Sequence, residues 1–313
     1  MAQHVTVREY DPLWPIKYQE ERTKIEEILG ENCLAIYHIG STSVPGLSAK
    51  PVTDIMAAVR SLEYVDEKAE DFKHIGYEYM GEFGIEGRRY LRKGGDERTH
   101  QLHIFSAEDT DNICRHLAFR AYLCAHKDVR DEYSRLKTKL AELFPYDIES
   151  YCDGKVEFVK KTEKAALAEY DSSWDKLYLA ARRVQGERKL SDFLEAGSVA
   201  AALMTEAGNI YVGVCIDTAC SLGMCAERNA AADMITNGEK RIKKLVAVMP
   251  DKKAGLPCGA CMEFLMQLDE KSPDIEILTD YERGEKLRLK DIMPSWWRRE
   301  TDTKRNGRYD KKI

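Results

Sequence analysis

"MCAERNAAADM" (Met224–Met234) and "LPCGACMEF" (Leu256–Phe264) decide how the second half of this chain is read. The first stretch sets a cysteine, a carboxylate and an arginine within four positions at the start of a helical pattern, followed by alanines suited to close packing on a sheet. The second supplies Cys258 and Cys261 in a Cys-x-x-Cys spacing behind Pro257, which reads as the first residue of another helix. Cysteines three apart at a helix start project to one side, where the helix dipole and free N–H groups favour the thiolate.

Around these two stretches the pattern alternates. "GSVAAALMTEAGNIYVGVCID" (197–217) reads as two strands about an Ala-Gly-Asn turn, followed by a helix over about 225–237. "KKLVAVMP" is a third strand, "PCGACMEFLMQLD" a second helix and "DIEILTD" a fourth strand. This order predicts a sheet with helices packed on it. "EYDSSWDKLY" (169–178) carries an N-cap signal before an amphipathic helix, which places a domain junction near residue 172.

In the first half, "CLAIYHIG" (33–40), "VTDIMAAV" (52–59) and "HQLHIF" (100–105) read as strands. A helix is expected over about 61–76, and the pattern is helical and charged from about 113 to 170. The expected layout is an α+β domain over 1–171 with a helical C-terminal half, a second domain over 172–297, and a charged, mobile tail over 298–313.

The chain has 313 residues, 43% of them hydrophobic and 33% charged, which suits two soluble globular domains. No apolar run approaches the roughly 18 residues needed to span a bilayer. The formal net charge of −6 argues against a surface built to hold a polynucleotide and favours small-molecule chemistry. Nine cysteines without an export signal read as reduced thiols in a cytoplasmic protein.

Cys225, Cys258 and Cys261 together make a three-thiolate set for one Zn²⁺. Zinc with three protein ligands keeps a fourth position open, where the pKa of water falls to roughly 7. Glu227, two residues after the first ligand, is placed to move that water's proton, and Arg228 to donate to a ligand sulfur and offset the charge of three thiolates. Three other readings stand beside this one: a redox Cys-x-x-Cys pair, inert buried thiols, and a structural four-cysteine zinc site completed by Cys220 or Cys215.

"CAERNA" with "PCGAC" resembles the signature of the cytidine deaminase family, and the resemblance runs through most of residues 174–297. It implies a three-layer α/β/α fold around a mixed sheet, with Cys225, Cys258 and Cys261 on zinc and Glu227 as proton shuttle. It also implies a homodimer or homotetramer that shares active-site residues across subunits. Polynucleotide-editing branches of that family usually use His as first ligand, and this chain has no His after His126, so a free nucleoside is the expected substrate.

The substrate-recognising positions depart from the family. Gly197 stands where pyrimidine nucleoside deaminases carry an aromatic, and Cys215 and Asp217 replace the ribose-binding Asn and Glu. Trp296 or Trp297 falls where family members close the pocket with an aromatic. The "SVAAAL" strand is similar to the blasticidin-type branch, which brings a modified cytosine nucleoside into view.

"HIGSTSVPGLSAKPVTDI" (His38–Ile55) resembles the GrpB family, a relative of the nucleotidyltransferase fold, over about residues 4–168. The resemblance implies a nucleotide- or phosphate-binding domain, with Mg²⁺ accompanying the nucleotide. The turn at Gly40 and Ser41 can offer N–H groups and a hydroxyl to a phosphate, with Lys50 to neutralise it. Asp54 stands where such enzymes hold metal, but Met56 replaces their second carboxylate, leaving Glu82, Glu86 or another residue to supply one. His103 shares a strand face with Gln101 and is a further pocket candidate, as is Arg120 for phosphate, although Ala121 follows it where the family has Asp. The alternative for the whole chain is a nucleotide-binding or nucleotidyltransferase protein whose zinc is structural.

Overall fold

The computed structural model describes residues 4–297. The expected mobile tail, 298–313, lies outside them. The chain divides between Asp175 and Lys176 into two compact units, each built on its own sheet.

In the first unit, α1 (Trp14–Leu29) precedes β1 (Cys33–Ile39), β2 (Thr53–Val59), α2 (Leu62–Glu67), α3 (Ala69–His74), β3 (Tyr77–Tyr79), β4 (Arg89–Lys93) and β5 (His100–Ser106). Four helices follow: α4 (Thr110–Ala125), α5 (Lys127–Leu143), α6 (Ile148–Asp153) and α7 (Val156–Glu169). The sheet runs β1-β2-β5-β4-β3, with β2 and β5 parallel and the other pairs antiparallel. Alternation along β2 sets its two faces apart. Ile55, Ala57 and Val59 pack with Tyr18, Ile25 and Leu29 of α1, while Asp54 and Met56 face the other way, as do their β5 partners Gln101 and His103. The single helix expected over 61–76 is two short ones. Lys68 leaves helical geometry (φ −89°, ψ 7°), its N–H bonding back to Tyr64 and Val65 as it caps α2. The long helical region likewise breaks where His126 turns extended and again at Phe144.

The second unit takes most of α8 (Ser173–Val184), then β6 (Arg188–Ser191), β7 (Leu194–Thr205), β8 (Ile210–Thr218), α9 (Ala226–Thr236), β9 (Ile242–Val248), β10 (Ala254–Gly255), α10 (Gly259–Met266), β11 (Glu276–Asp280), β12 (Glu285–Arg288) and α11 (Leu289–Ile292). Its mixed sheet has the path β12-β11-β9-β7-β6, with β8 on β7 and β10 on β9; only β9 and β11 are parallel. Leu203, Leu245 and Ile277 form a core with Ala230 and Met234 of α9, Leu265 of α10 and Leu289 of α11. Ala200, Ala202, Val246 and Val248, on the opposite face, are equally buried.

One glycine decides how close α9 comes. A Cβ on Gly213 of β8 would lie 2.3 Å from the Ala230 nitrogen and 2.6 Å from the Ala226 oxygen, so only hydrogen fits there. Asn229 fastens the same contact, its Nδ2 donating to the Val214 carbonyl at 2.6 Å.

Among the described residues no helix is long and apolar enough to cross a membrane.

Candidate metal centre and a lysine cluster

Two helix starts carry the thiols. Cys225 is the N-cap of α9 and Cys258 the N-cap of α10, both with extended backbone, and Cys261 lies in the first turn of α10. Pro257 therefore stands before the cap rather than at the first helical position. The Cys225 and Cys258 sulfurs are 3.5 Å apart, and all three sulfurs lie within 4.8 Å of one another. A tetrahedral zinc with bonds of about 2.3 Å wants sulfurs about 3.8 Å apart, so the spacing and donor chemistry fit this ion. Cys261 is buried, Cys225 half-buried and Cys258 exposed, so the cluster faces solvent on one side.

Electrostatics set the three thiols apart. Burial pushes Cys261 far up, with the Glu227 carboxylate adding to it. Burial also raises Cys225, and the Cys258 thiol adds to this, while Cys261 and Arg228 work against it. Burial acts to raise Cys258 too, but the Cys261 backbone N–H leads a set of hydrogen bonds that bring it below the ordinary thiol range. The Arg228 guanidinium reaches the Cys225 and Cys261 sulfurs, which raise its own pKa.

Glu227 is 4% exposed, and among the described residues no lysine, arginine or histidine forms an ion pair with it. No fourth ligand joins the cluster among the described residues. Cys215 is buried and turned into β7, where its sulfur meets the Ser198 hydroxyl at 3.1 Å and accepts from the Val199 N–H at 3.3 Å. Cys220 is exposed, its sulfur 3.8 Å from the Thr218 hydroxyl.

The other substrate-pocket candidates differ in their surroundings. Asp217 is exposed, opposite Glu195 on β7. Gly197 sits in the irregular register of β7 at φ +91°, where a Cβ would lie 2.1 Å from the Gly186 carbonyl; its backbone geometry is reason enough for glycine. Trp296 belongs to the core and Trp297 is exposed, and both indole N–H groups donate to Glu263, at 2.9 and 3.0 Å.

In the first unit the structure gathers a different group. Gly40 (φ +68°) brings the turn after β1 against Asp54, whose Oδ2 would lie 2.3 Å from a Cβ there. Around Asp54 stand Lys50, Lys155 and Lys137, which oppose the burial that pushes its carboxyl up to about 6. Asp54 sits deep among protein atoms yet keeps a solvent-facing edge. The buried Lys137 donates to the Ser41 hydroxyl at 3.0 Å.

Two further candidates have other neighbours. His103 faces Arg88 (3.3 Å), Tyr90 and His116, and burial holds its pKa far below the usual range. Arg120 lies near His38 and Cys124. Glu82 supplies no second carboxylate to Asp54; it accepts from the Gly87 N–H and approaches Arg89. Lys137 and Lys155 escape a reading of local motifs because helix packing brings them to Ser41 and Asp54 from far along the chain. One signal is present, since Lys137 falls in helical register with the buried Tyr133 and Leu140.

The pattern that defines the GrpB protein family matches residues 4–165, and the chain belongs to that family. It is 43% identical over 157 residues to UPF0157 protein YqkA of Bacillus subtilis (strain 168), an alignment covering 50% of this chain and 46% of YqkA, so the chain spans less than half of that relative's length. The crystal structure of GrpB from Enterococcus faecalis is 49% identical, with a TM-score of 0.52, covering 53% of this chain and 99% of that one. Cytidine deaminase from Mycobacterium leprae is 24% identical with a TM-score of 0.33, over 39% of this chain and 97% of that one. That likeness is slight, and the chemistry of the second unit is read from its own residues.

Proposed function

We propose that the second unit is a zinc-dependent hydrolase that removes an amine from a free cytosine nucleoside or a related, modified aminated heterocycle. The observation that carries this reading is the buried Glu227 carboxylate beside a cluster of three thiols, with neither a cationic partner for the carboxylate nor a fourth ligand for the thiols among the described residues. A structural four-cysteine site would want Cys215 or Cys220; Cys215 is held by Ser198 and Val199, and neither joins the cluster among the described residues.

Cys225, Cys258 and Cys261 would hold the ion, with Arg228 donating to two of the sulfurs so that their negative charge is spread. When bound, Zn²⁺ supplies the Lewis acidity that brings the ionisation of water into the neutral range. Glu227 takes a proton from the attacking water and returns it to the ring nitrogen next to the amine-bearing carbon. A second transfer through the same carboxylate protonates the amine, which leaves as ammonia while the carbon becomes a carbonyl. A carboxylate that shuttles protons cannot be locked in an ion pair, and Glu227 is in none among the described residues. The resemblance of "CAERNA" and "PCGAC" to the cytidine deaminase signature supports the same assignment.

Zinc-loaded protein is expected to release ammonia from at least one of cytidine, deoxycytidine, cytosine, a blasticidin-type nucleoside, adenosine and guanine. Glu227→Gln should keep stoichiometric zinc and lose roughly 10²- to 10⁴-fold in rate, the usual contribution of a positioned acid-base group. Wild-type turnover in that variant, or no ammonia from any of the six, would sink the reading.

A further inference from the structure

The three lysines around Asp54 hold more positive charge than the protein itself answers. Lys137 is 2% exposed, and its ammonium sits on the Ser41 hydroxyl and 4.4 Å above the Tyr133 ring. Lys155 lies 4.3 Å and Lys50 5.3 Å from the centre of the Tyr151 ring. Among the described residues none of the three forms an ion pair, and Asp54 is the one carboxylate whose charge they share. Keeping an ammonium out of water is costly unless an opposite charge is close. Burial and repulsion from Lys155 both act against the charge on Lys137, so the cluster is electrostatically unsatisfied as it stands.

We propose that Ser41, Lys50, Lys137 and Lys155 bind a doubly charged phosphoryl group, a phosphate monoester or free phosphate, directly and without a divalent cation. With all three lysines protonated and Asp54 ionised the formal surplus is two charges, which such a group neutralises. Its tetrahedral oxygens suit donors arriving from several directions: a turn after β1, the loop before β2, the middle of α5 and the link between α6 and α7. Lys50, Lys155, Ser41 and Asp54 are half-buried, so the cluster opens to solvent on their side. A divalent ion is disfavoured by the same residues. It wants several oxygen ligands, yet two positions past Asp54 on the same strand face stands the fully buried Met56, and three cations would repel it. This assignment does not depend on the chemistry of the second unit.

Calorimetric titration of the full chain with inorganic phosphate, methyl phosphate and dimethyl phosphate tests it, first in EDTA and then with Mg²⁺. Inorganic phosphate should bind in EDTA and be unaffected by Mg²⁺, while singly charged dimethyl phosphate binds at least roughly tenfold more weakly. Methyl phosphate binding as well assigns the site to esters, and its exclusion assigns the free ion. Lys137→Met should weaken phosphate binding at least roughly tenfold, with exposed Lys139→Met as the unchanged control. Should Lys137→Met fail to fold, half-buried Lys155→Gln carries the same expectation. No phosphate binding, binding that requires Mg²⁺, or wild-type affinity in the folded lysine variants would overturn the proposal.

Discussion

Gly213→Ala tests the link between the sheet of the second unit and its thiol cluster. The new methyl carbon would lie 2.3 Å from the Ala230 nitrogen, 2.6 Å from the Ala226 oxygen and 2.8 Å from the Asn229 carbonyl carbon. All three atoms are α9 backbone, so no rotamer change relieves the clash, and α9 must move roughly 1 Å to restore van der Waals contact. Overpacking of this kind costs about 1–3 kcal/mol, which in a domain of this size lowers the melting temperature by about 3–9 °C. The same displacement carries Cys225 and Glu227, at the N-terminus of α9, away from Cys258 and Cys261 on α10. Zinc affinity should fall with stability, and a 1 Å misplacement can cost roughly 10²-fold in rate. Chelator competition reads the affinity, and a thermal melt of metal-stripped protein reads the packing cost separately. Gly186→Ala, which meets open space, is the control. If Gly213→Ala melts within about 1 °C of wild type and holds zinc as tightly, the contact of α9 with β8 does not position the site.

Two further outcomes are expected. Elemental analysis should show stoichiometric zinc lost in Cys225→Ser, Cys258→Ser and Cys261→Ser and kept in Cys215→Ser and Cys220→Ser; loss in Cys220→Ser would point to a four-thiol structural site. Stability should also depend on Asp54, whose carboxyl is raised from 3.8 to about 6, first by burial. A raised carboxyl pKa means that the fold favours the neutral form, so its contribution is complete below about pH 4 and is lost as pH rises through 6. Relative to Asp54→Asn, wild type should lose up to about 3 kcal/mol between pH 3.5 and 7 in phosphate-free urea titrations, and a flat difference would refute the assignment.

Much of the framework is legible where period and burial agree. β1, β2, β5, β7, β8, β9 and β11 fall on the apolar stretches read from sequence, and α9 and α10 fall on the cysteine motifs. The misses have physical causes. In α1 the buried stripe Trp14, Tyr18, Glu21, Ile25 and Leu29 has helical spacing, but Glu21 interrupts it as a charge held by Lys93 (2.7 Å) and Lys24 (3.1 Å). The strands β3, β6, β10 and β12 are two to four residues long, too short for any period to show. The thiol cluster was readable because its ligands recur in two tight motifs. The lysine cluster was not, because Ser41 and Lys137 are 96 positions apart and only the packing of α5 brings them together.

Cys225 and Cys258 are 33 positions apart, and each begins its own helix. Between them run the whole of α9, the buried strand β9 and the edge strand β10. In an unfolded chain the two halves of the ligand set therefore rarely meet, and the nearby pair Cys258 and Cys261 is all that the local sequence offers an ion. The complete trio forms only once β9 has taken its place between β7 and β11 and both helices have docked. Metal capture at this site would thus mark the end of folding in the second unit rather than nucleate it, and the captured ion would slow unfolding more than it hastens folding.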